Sequence, residues 1–500
     1  MVRFCFLINH QSKQGMVEKK NKIYLTTPIY YVNALPHIGH AYTTLAIDVL
    51  SRYYQAQGKE VFFLTGTDEH GAKIFEAARK TGKEPQVFCD EMAELFKKTW
   101  QDLNIDFSYF IRTTYKQHQE KVRAFLTVLK EKGYLYKSVY EGNYCVGCEK
   151  FITDKDLVEG KCPDHNCFPQ KISEENWFFK LKEFLNDIEK LIAEDKILVS
   201  PAQAKAEVLG VIKQGLDDIS ISRKNVSWGI PLPWEPTQTI YVWVDALLNY
   251  WTALQNLGKT AFWPPDLHLV GRDILKFHCI FWPALLLAYY GRENIEQLPR
   301  HIFCHGYFTV NGQKMSKTIG NVISPNDLIQ KYGSDATRYL LLTQFPFGND
   351  GDISLAKLAQ KYNSDLAKGL GNFAARVISL AKNAQSDIGF FKTSPEYQEL
   401  QKGICTTKIM INDFLEKLKI DQAIDAIWQL MKIGDKIIDR EKPWQNVDIS
   451  QKEKNKKVIA DLLQTLKEIA LMLQPFMPQT AQKILAQIKM GKAEPLFPRL

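Results

Sequence analysis

From Lys22 to Tyr31 the chain is rich in β-branched and aromatic residues, which predicts a buried strand. Pro36 precedes an apolar-periodic stretch, Ile38–Tyr54, closed by Gly58 in the manner of a helix C-terminus. Glu60–Thr65 reads as a second strand, followed by the loop Gly66–Gly71 and another helix. Strands alternating with helices predict a parallel sheet of the doubly wound type. The rhythm breaks between residues 134 and 228, where turns, a cysteine cluster and a charged helical stretch, Leu181–Asp195, intervene. It resumes with strands expected at Thr239–Val244, Leu267–Gly271 and His301–Val310. After Asp352 strand patterns give way to helical spacing, as in Val458–Leu473, which Pro475 and Pro478 close. The expected class is α/β: a Rossmann-like doubly wound parallel sheet with an insertion, followed by an all-α bundle. The expected boundaries are a disordered extension at 1–21, the two halves of the sheet domain at 22–133 and 229–352, the insertion at 134–228, and the bundle at 353–500.

Hydropathy and composition narrow the class. The longest apolar run, Phe277–Tyr290, is too short for a bilayer and is interrupted by His278 and Pro283, so a buried helix is expected. Met1–Lys20 holds only a brief apolar patch, Phe4–Ile8, unlike a secretory signal, and a cytoplasmic protein follows. An apolar fraction of 45% and a charged fraction of 24% are those of a globular protein. A net charge of +8 permits a nucleic-acid partner without demanding one. Four of the nine cysteines crowd into one segment, which argues for a metal site rather than a disulfide framework. Cys145 and Cys148 form a CxxC, Cys162 and His165 a CxxH. Each knuckle places two soft ligands on one side of a turn, a strong zinc pattern, with Cys167 as an alternative to His165.

No Walker A loop and no GxGxxG follows a strand. The first strand leads instead to His37-Ile38-Gly39-His40 at a helix start. A helix N-terminus attracts phosphate, imidazoles there donate hydrogen bonds, and a glycine lets a flat base come close. Lys314-Met315-Ser316-Lys317-Thr318 follows the strand Tyr307–Val310 and the turn Asn311-Gly312. Two lysines on a hinged loop can neutralise charge developing on a triphosphate. Taken singly, the first motif is also two polar helix-start residues and the second a solvated basic loop.

Together the motifs resemble the HIGH and KMSKS signatures of class I aminoacyl-tRNA synthetases, with Thr318 in the last place. Their neighbourhoods resemble the methionyl-tRNA synthetase family, from Lys22 to the C-terminus. The resemblance implies activation of L-methionine with ATP and Mg²⁺ to methionyl-adenylate and pyrophosphate, then transfer to the terminal adenosine of tRNA(Met). His37, His40, Lys314 and Lys317 would stabilise the transferring phosphoryl group, with Gly39, Met315 and Ser316 completing the ATP contacts. Ile29, Tyr30, Asp68, Trp243, Ala246, Tyr250, Ile274 and His278 would hold methionine, Asp68 pairing with its ammonium. A metal site built from Asp68, Glu69 and His70 is the competing reading of that turn. One structural zinc on Cys145, Cys148, Cys162 and His165 is implied, and Asn372, Arg376 and Trp444 would read the anticodon. A monomer is expected, because no further tRNA-binding domain follows. The alternatives are another class I synthetase or a nucleotidylyltransferase sharing the HIGH-type site. The short insertion disfavours the leucine, isoleucine and valine enzymes, and the helical half disfavours a nucleotidylyltransferase.

Overall fold

The structure is a computed structural model that describes residues 21–499 apart from 146–149, 153–156, 164–165, 225, 316–319, 385–394 and 446–447. Its centre is a six-stranded sheet built from β1 (Lys22–Tyr31), β2 (Glu60–Asp68), β3 (Tyr109–Arg112), β4 (Leu198–Ser200), β5 (Leu267–Gly271) and β6 (His301–His305). The spatial order is β3-β2-β1-β5-β6-β4, and every neighbouring pair is parallel. From β1 the chain winds outward to β2 and β3 on one side; β5 and β6 then build the other side. The reversal falls between β1 and β5, where Leu25 pairs with Leu267. Such a switch point opens a crevice at the carboxyl ends of the strands. Helix α1 (Ile38–Ala56) packs its apolar face onto this sheet, with Leu45, Val49 and Leu50 buried.

The insertion carries a four-stranded antiparallel sheet formed by Lys150–Ile152, Leu135–Cys145, Gln170–Phe179 and Ile219–Ser220. It also supplies β4, three residues long, to the edge of the central sheet. A strand so short carries no periodicity for a sequence reading to find.

Two expected strands differ. Thr239–Val244 was expected to be extended, but the strand is Glu235–Ile240 and helix α2 (Val242–Leu257) begins two residues later. The run Ile240–Val244 suits either period; Asp245 in the first helical turn and apolar Val244, Leu247, Leu248 and Trp251 at helical spacing decide it. His301–Val310 divides into β6 and Phe308–Val310, with Gly306 pressed against the backbone of Asn349 and Asp350 between them. Phe277–Tyr290 is the buried helix expected, opening with a π-turn, Phe277–Phe281.

Beyond Ile353 every described element is helical. Its apolar faces share one core with α1, so the bundle and the sheet domain pack as continuous layers. Arg338, on helix α3 (Ser334–Leu342), is fully buried at the joint. Its guanidinium donates to Asp48 Oδ2 on α1 (2.6 Å) and to the carbonyls of Phe476 (2.8 Å), Pro475 (3.0 Å) and Leu103 (3.1 Å). No described helix is long and apolar enough to cross a membrane.

Candidate active site

A cavity of about 480 Å³ opens at the switch point. The carboxyl ends of four strands line it: Pro28–Tyr31 of β1, Asp68 of β2, Gly271 of β5 and His305 of β6. The start of α1 contributes His37, Gly39 and His40; α2 contributes Trp243, Ala246 and Tyr250; Ile274, His278 and Met315 complete the wall. The residues picked from sequence for methionine and for the HIGH motif thus face one cavity. Of the KMSKS-type motif, Met315 faces it too, while Ser316 and Lys317 lie outside the described residues, as does the side chain of Lys314. The backbone of Lys314 pairs with Thr309 in a hairpin turned by Asn311 and Gly312, at φ 51° and 76°. Positive φ at both positions is what a two-residue hairpin turn requires.

The two histidines are fixed by the helix they start. His37 Nδ1 accepts from the Gly39 N–H (3.1 Å), and His40 Nδ1 accepts from the His37 N–H (3.4 Å). Their rings stack with centroids 3.6 Å apart. A neutral imidazole whose Nδ1 accepts carries its proton on Nε2, so each ring is set as a donor at its far nitrogen. The helix start is therefore less open than the sequence suggested: the Ile38 N–H already donates to the Ile323 carbonyl (3.1 Å). A phosphate placed there would meet imidazole N–H groups rather than a bare Ile38 N–H. The same bond draws the segment after the second motif onto the first. Gly39 leaves room, since a Cβ would sit 3.0 Å from the His37 ring and 3.7 Å from Met315 Cε.

On the other side of the cavity the hydroxyl of buried Tyr250 lies 2.7 Å from His278 Nε2, while His278 Nδ1 lies 3.0 Å from the Ile274 carbonyl. Burial pushes His278 down to about 4, outweighing the carbonyl bond, so the ring is neutral at pH 7. The geometry then selects one tautomer: Nδ1–H donates to the carbonyl and the Tyr250 hydroxyl donates to Nε2. Trp243 stacks on Phe277 at 4.1 Å, giving a polarisable wall suited to a thioether. Tyr30 is buried beneath His40, its hydroxyl 2.7 Å from Thr44 Oγ1.

The end of β2 and the loop after it send three adjacent side chains in three directions, which removes the reading of a metal site there. Asp68 lines the cavity. Glu69 turns inward to a bidentate pair with Arg112 (2.7 and 2.9 Å) and accepts from Thr67 (2.6 Å). His70 Nδ1 meets Asp245 Oδ2 (2.7 Å), whose other oxygen meets His118 Nε2 (2.6 Å). Burial alone would raise the Asp245 carboxyl, but His70 and His118 outweigh it and hold the group below the usual range.

Sequence reasoning missed His305, Asp273 and Lys73, which also line the cavity. His305 Nε2 lies 2.7 Å from the Thr43 hydroxyl of α1. For His305 the available signal was positional, because the carboxyl end of any strand beside a switch point faces the crevice.

In the insertion, Cys145 and Cys162 are buried and the Cys145 and Cys167 sulfurs are 3.8 Å apart. Cys148 and His165 lie outside the described residues. Among the described residues no group of three His, Cys, Asp or Glu converges on a metal position. In the helical half, Asn372 is exposed at the start of helix Asn372–Ala384, with Arg376 one turn on. The Arg376 guanidinium lies 5.5 Å from the Trp444 ring and pairs with Asp439 (2.7 Å). Trp444 is 49% exposed, unusual for a tryptophan that only packs.

Residues 23–172 and 165–378 match the family described as tRNA synthetases class I (M), and residues 404–497 match the anticodon-binding domain of tRNA ligases. The chain belongs to the methionine-type class I tRNA synthetase family. It is 40% identical to a methionine–tRNA ligase of Thermotoga maritima, over 93% of this chain and 75% of that one. It is 38% identical to a methionine–tRNA ligase of a Nostoc species, over 95% of this chain and 92% of that one. Among solved structures, the methionyl-tRNA synthetase of Mycobacterium tuberculosis in complex with methionyl-adenylate superposes with a TM-score of 0.88 at 31% identity, covering 96% of this chain and all of that one. Membership in this family sets aside both a nucleotidylyltransferase and a synthetase for another amino acid.

Proposed function

We infer that the protein is a methionine–tRNA ligase, which forms methionyl-adenylate from methionine and ATP and passes the methionyl group to tRNA(Met). The observation that carries the assignment is the single switch-point cavity, where the α1 histidines and Met315 face the pocket of Asp68, Trp243, Ala246, Tyr250 and His278. Asp68 pairs with the substrate ammonium, and the aromatic wall with Ile29, Tyr30 and Ile274 encloses the thioether. The methionine carboxylate attacks the α-phosphorus in line and pyrophosphate leaves. Nε2–H of His37 and His40 meets the developing negative charge, and Lys314 and Lys317 share in neutralising it. Mg²⁺ would take its oxygen ligands chiefly from the phosphates, consistent with the lack of a ready-made carboxylate set among the described residues. Asn372, Arg376 and Trp444 read the anticodon by hydrogen bonding and stacking. Pyrophosphate exchange run with each amino acid in turn tests the assignment. Methionine-dependent exchange is expected; exchange with another amino acid alone overturns it. Trp444→Ala should leave exchange unchanged and weaken tRNA charging by about tenfold or more, since base stacking contributes about 1–3 kcal/mol. Unchanged charging removes Trp444 from the anticodon site.

The donor chemistry of the insertion fits a structural zinc. Thiolates about 2.3 Å from a tetrahedral ion stand roughly 3.8 Å apart, the separation of the Cys145 and Cys167 sulfurs. That spacing keeps Cys167 beside His165 as a candidate for the fourth place with Cys145, Cys148 and Cys162. When bound, the ion would only cross-link the knuckle. One zinc per chain is expected, retained against a chelator by His165→Ala and lost from Cys167→Ser. The reverse pattern would assign the fourth place to His165.

A further inference from the structure

Asp245 follows Trp243 by two residues on α2, yet its own side chain is not part of the cavity wall. It is buried behind that wall, 1% exposed, with His70 at 4% and His118 at 0%. One carboxylate oxygen takes the His70 ring from the loop after β2, the other takes His118 from helix Lys116–Glu131. His118 Nδ1 lies 2.6 Å from the hydroxyl of Thr252, two turns further along α2, so the chain of bonds closes on the helix where it began.

An apolar cluster of the same volume would fill this space without desolvating a carboxylate, so packing alone does not account for the group. What a carboxylate held by two imidazoles does supply is a fixed separation between the segments it joins. Here those segments form facing parts of the methionine pocket. Asp68 ends β2, two residues before His70, and α2 carries Trp243 and Ala246. On its far side the loop is already held by Glu69 on Arg112. Toward α2, His70 is the tie.

We propose that Asp245 is a positioning residue for methionine: through His70 it holds the Asp68 carboxylate at the distance from the Trp243–Ala246 wall that the substrate ammonium and side chain require. The proposal rests on Asp68 as the ammonium partner. Asp245→Asn keeps the shape of the side chain but presents an N–H to one imidazole where an acceptor stood. A misplaced charged hydrogen bond typically weakens binding by about tenfold or more.

The test measures pyrophosphate exchange by the full chain carrying Asp245→Asn, with Asp68→Asn and Thr252→Val in parallel. For Asp245→Asn, KM for methionine should rise about tenfold or more, and inhibition by methioninol, which keeps the ammonium but lacks the carboxylate, should weaken by the same factor. KM for ATP should stay within about twofold and kcat within about threefold. Thr252→Val should shift methionine KM in the same direction by less. A lowered melting temperature with methionine KM unchanged, or equal rises in both KM values, would overturn the proposal. Unchanged methionine KM in Asp68→Asn would instead overturn the reading of Asp68 beneath it. Should Asp245→Asn not fold, His118→Gln loosens the same tie from behind and must show the same split between the two substrates.

Discussion

Arg338→Leu should lower the free energy of unfolding by about 3–5 kcal/mol, because it removes one charge of a fully buried ion pair together with the donors to three main-chain carbonyls. The guanidinium and the Asp48 carboxylate are both fully buried and 2.6 Å apart. Leucine would leave Asp48 with Arg52 as its charged partner, 2.8 Å away. It would also strip donors from the carbonyls of Leu103, Pro475 and Phe476. These groups belong to α1, the end of helix Pro85–Asp102 and the turn between the last two long helices, so one side chain joins three parts of the molecule. Urea unfolding followed by tryptophan fluorescence reads the effect. The double variant Arg338→Leu with Asp48→Leu should recover part of the loss, since no charge is then left buried. A loss under about 1 kcal/mol for the single variant would mean that the carbonyls and carboxylate find water, and that the joint is not held as described.

His40→Gln should lower the rate of methionine-dependent exchange by about 10²–10³-fold, the effect of deleting one preorganised donor to a developing charge. Glutamine is chosen because, three residues past a helix cap, its side chain can still accept from the cap backbone N–H, as His40 Nδ1 does from His37. The helix start is kept, while the amide N–H groups that remain are displaced from the place where imidazole presents its Nε2–H. Methionine KM should stay within about twofold, because the group acts on transition-state charge rather than on substrate binding. A rate within threefold of the parent, or a methionine KM that rises as much as the rate falls, would take His40 out of the phosphate site.

Much of this was legible in the sequence, for identifiable reasons. The run Lys22–Tyr31, the periodic stretch Ile38–Tyr54 and the second strand each carry a local period, so their types and approximate limits follow from side-chain spacing. The two motifs gain meaning because each adjoins a predicted strand. Where the period was ambiguous, at Ile240–Val244, the reading went to the wrong element. Where function depends on contacts across the chain, it had nothing to work on. Asp245 is 175 residues from His70, and Arg338 is 290 from Asp48. His305 resembles any strand-end residue until the winding direction places it at the crevice. Cys167 was visible as an alternative ligand, and its sulfur does lie 3.8 Å from that of Cys145.

The stacked rings at the start of α1 explain why lysine, a stronger electrostatic partner for polyphosphate, is ill suited to either place. Each ring works in two directions at once, receiving a main-chain hydrogen on its inner nitrogen and offering one from its outer edge. An ammonium has three hydrogens to give and no lone pair to receive with, so it would serve the nucleotide while leaving the first turn to unravel. What residues 37 and 40 require is thus a two-faced side chain of fixed width that can both receive and give a hydrogen, so a lysine at either place should weaken the enzyme rather than improve it.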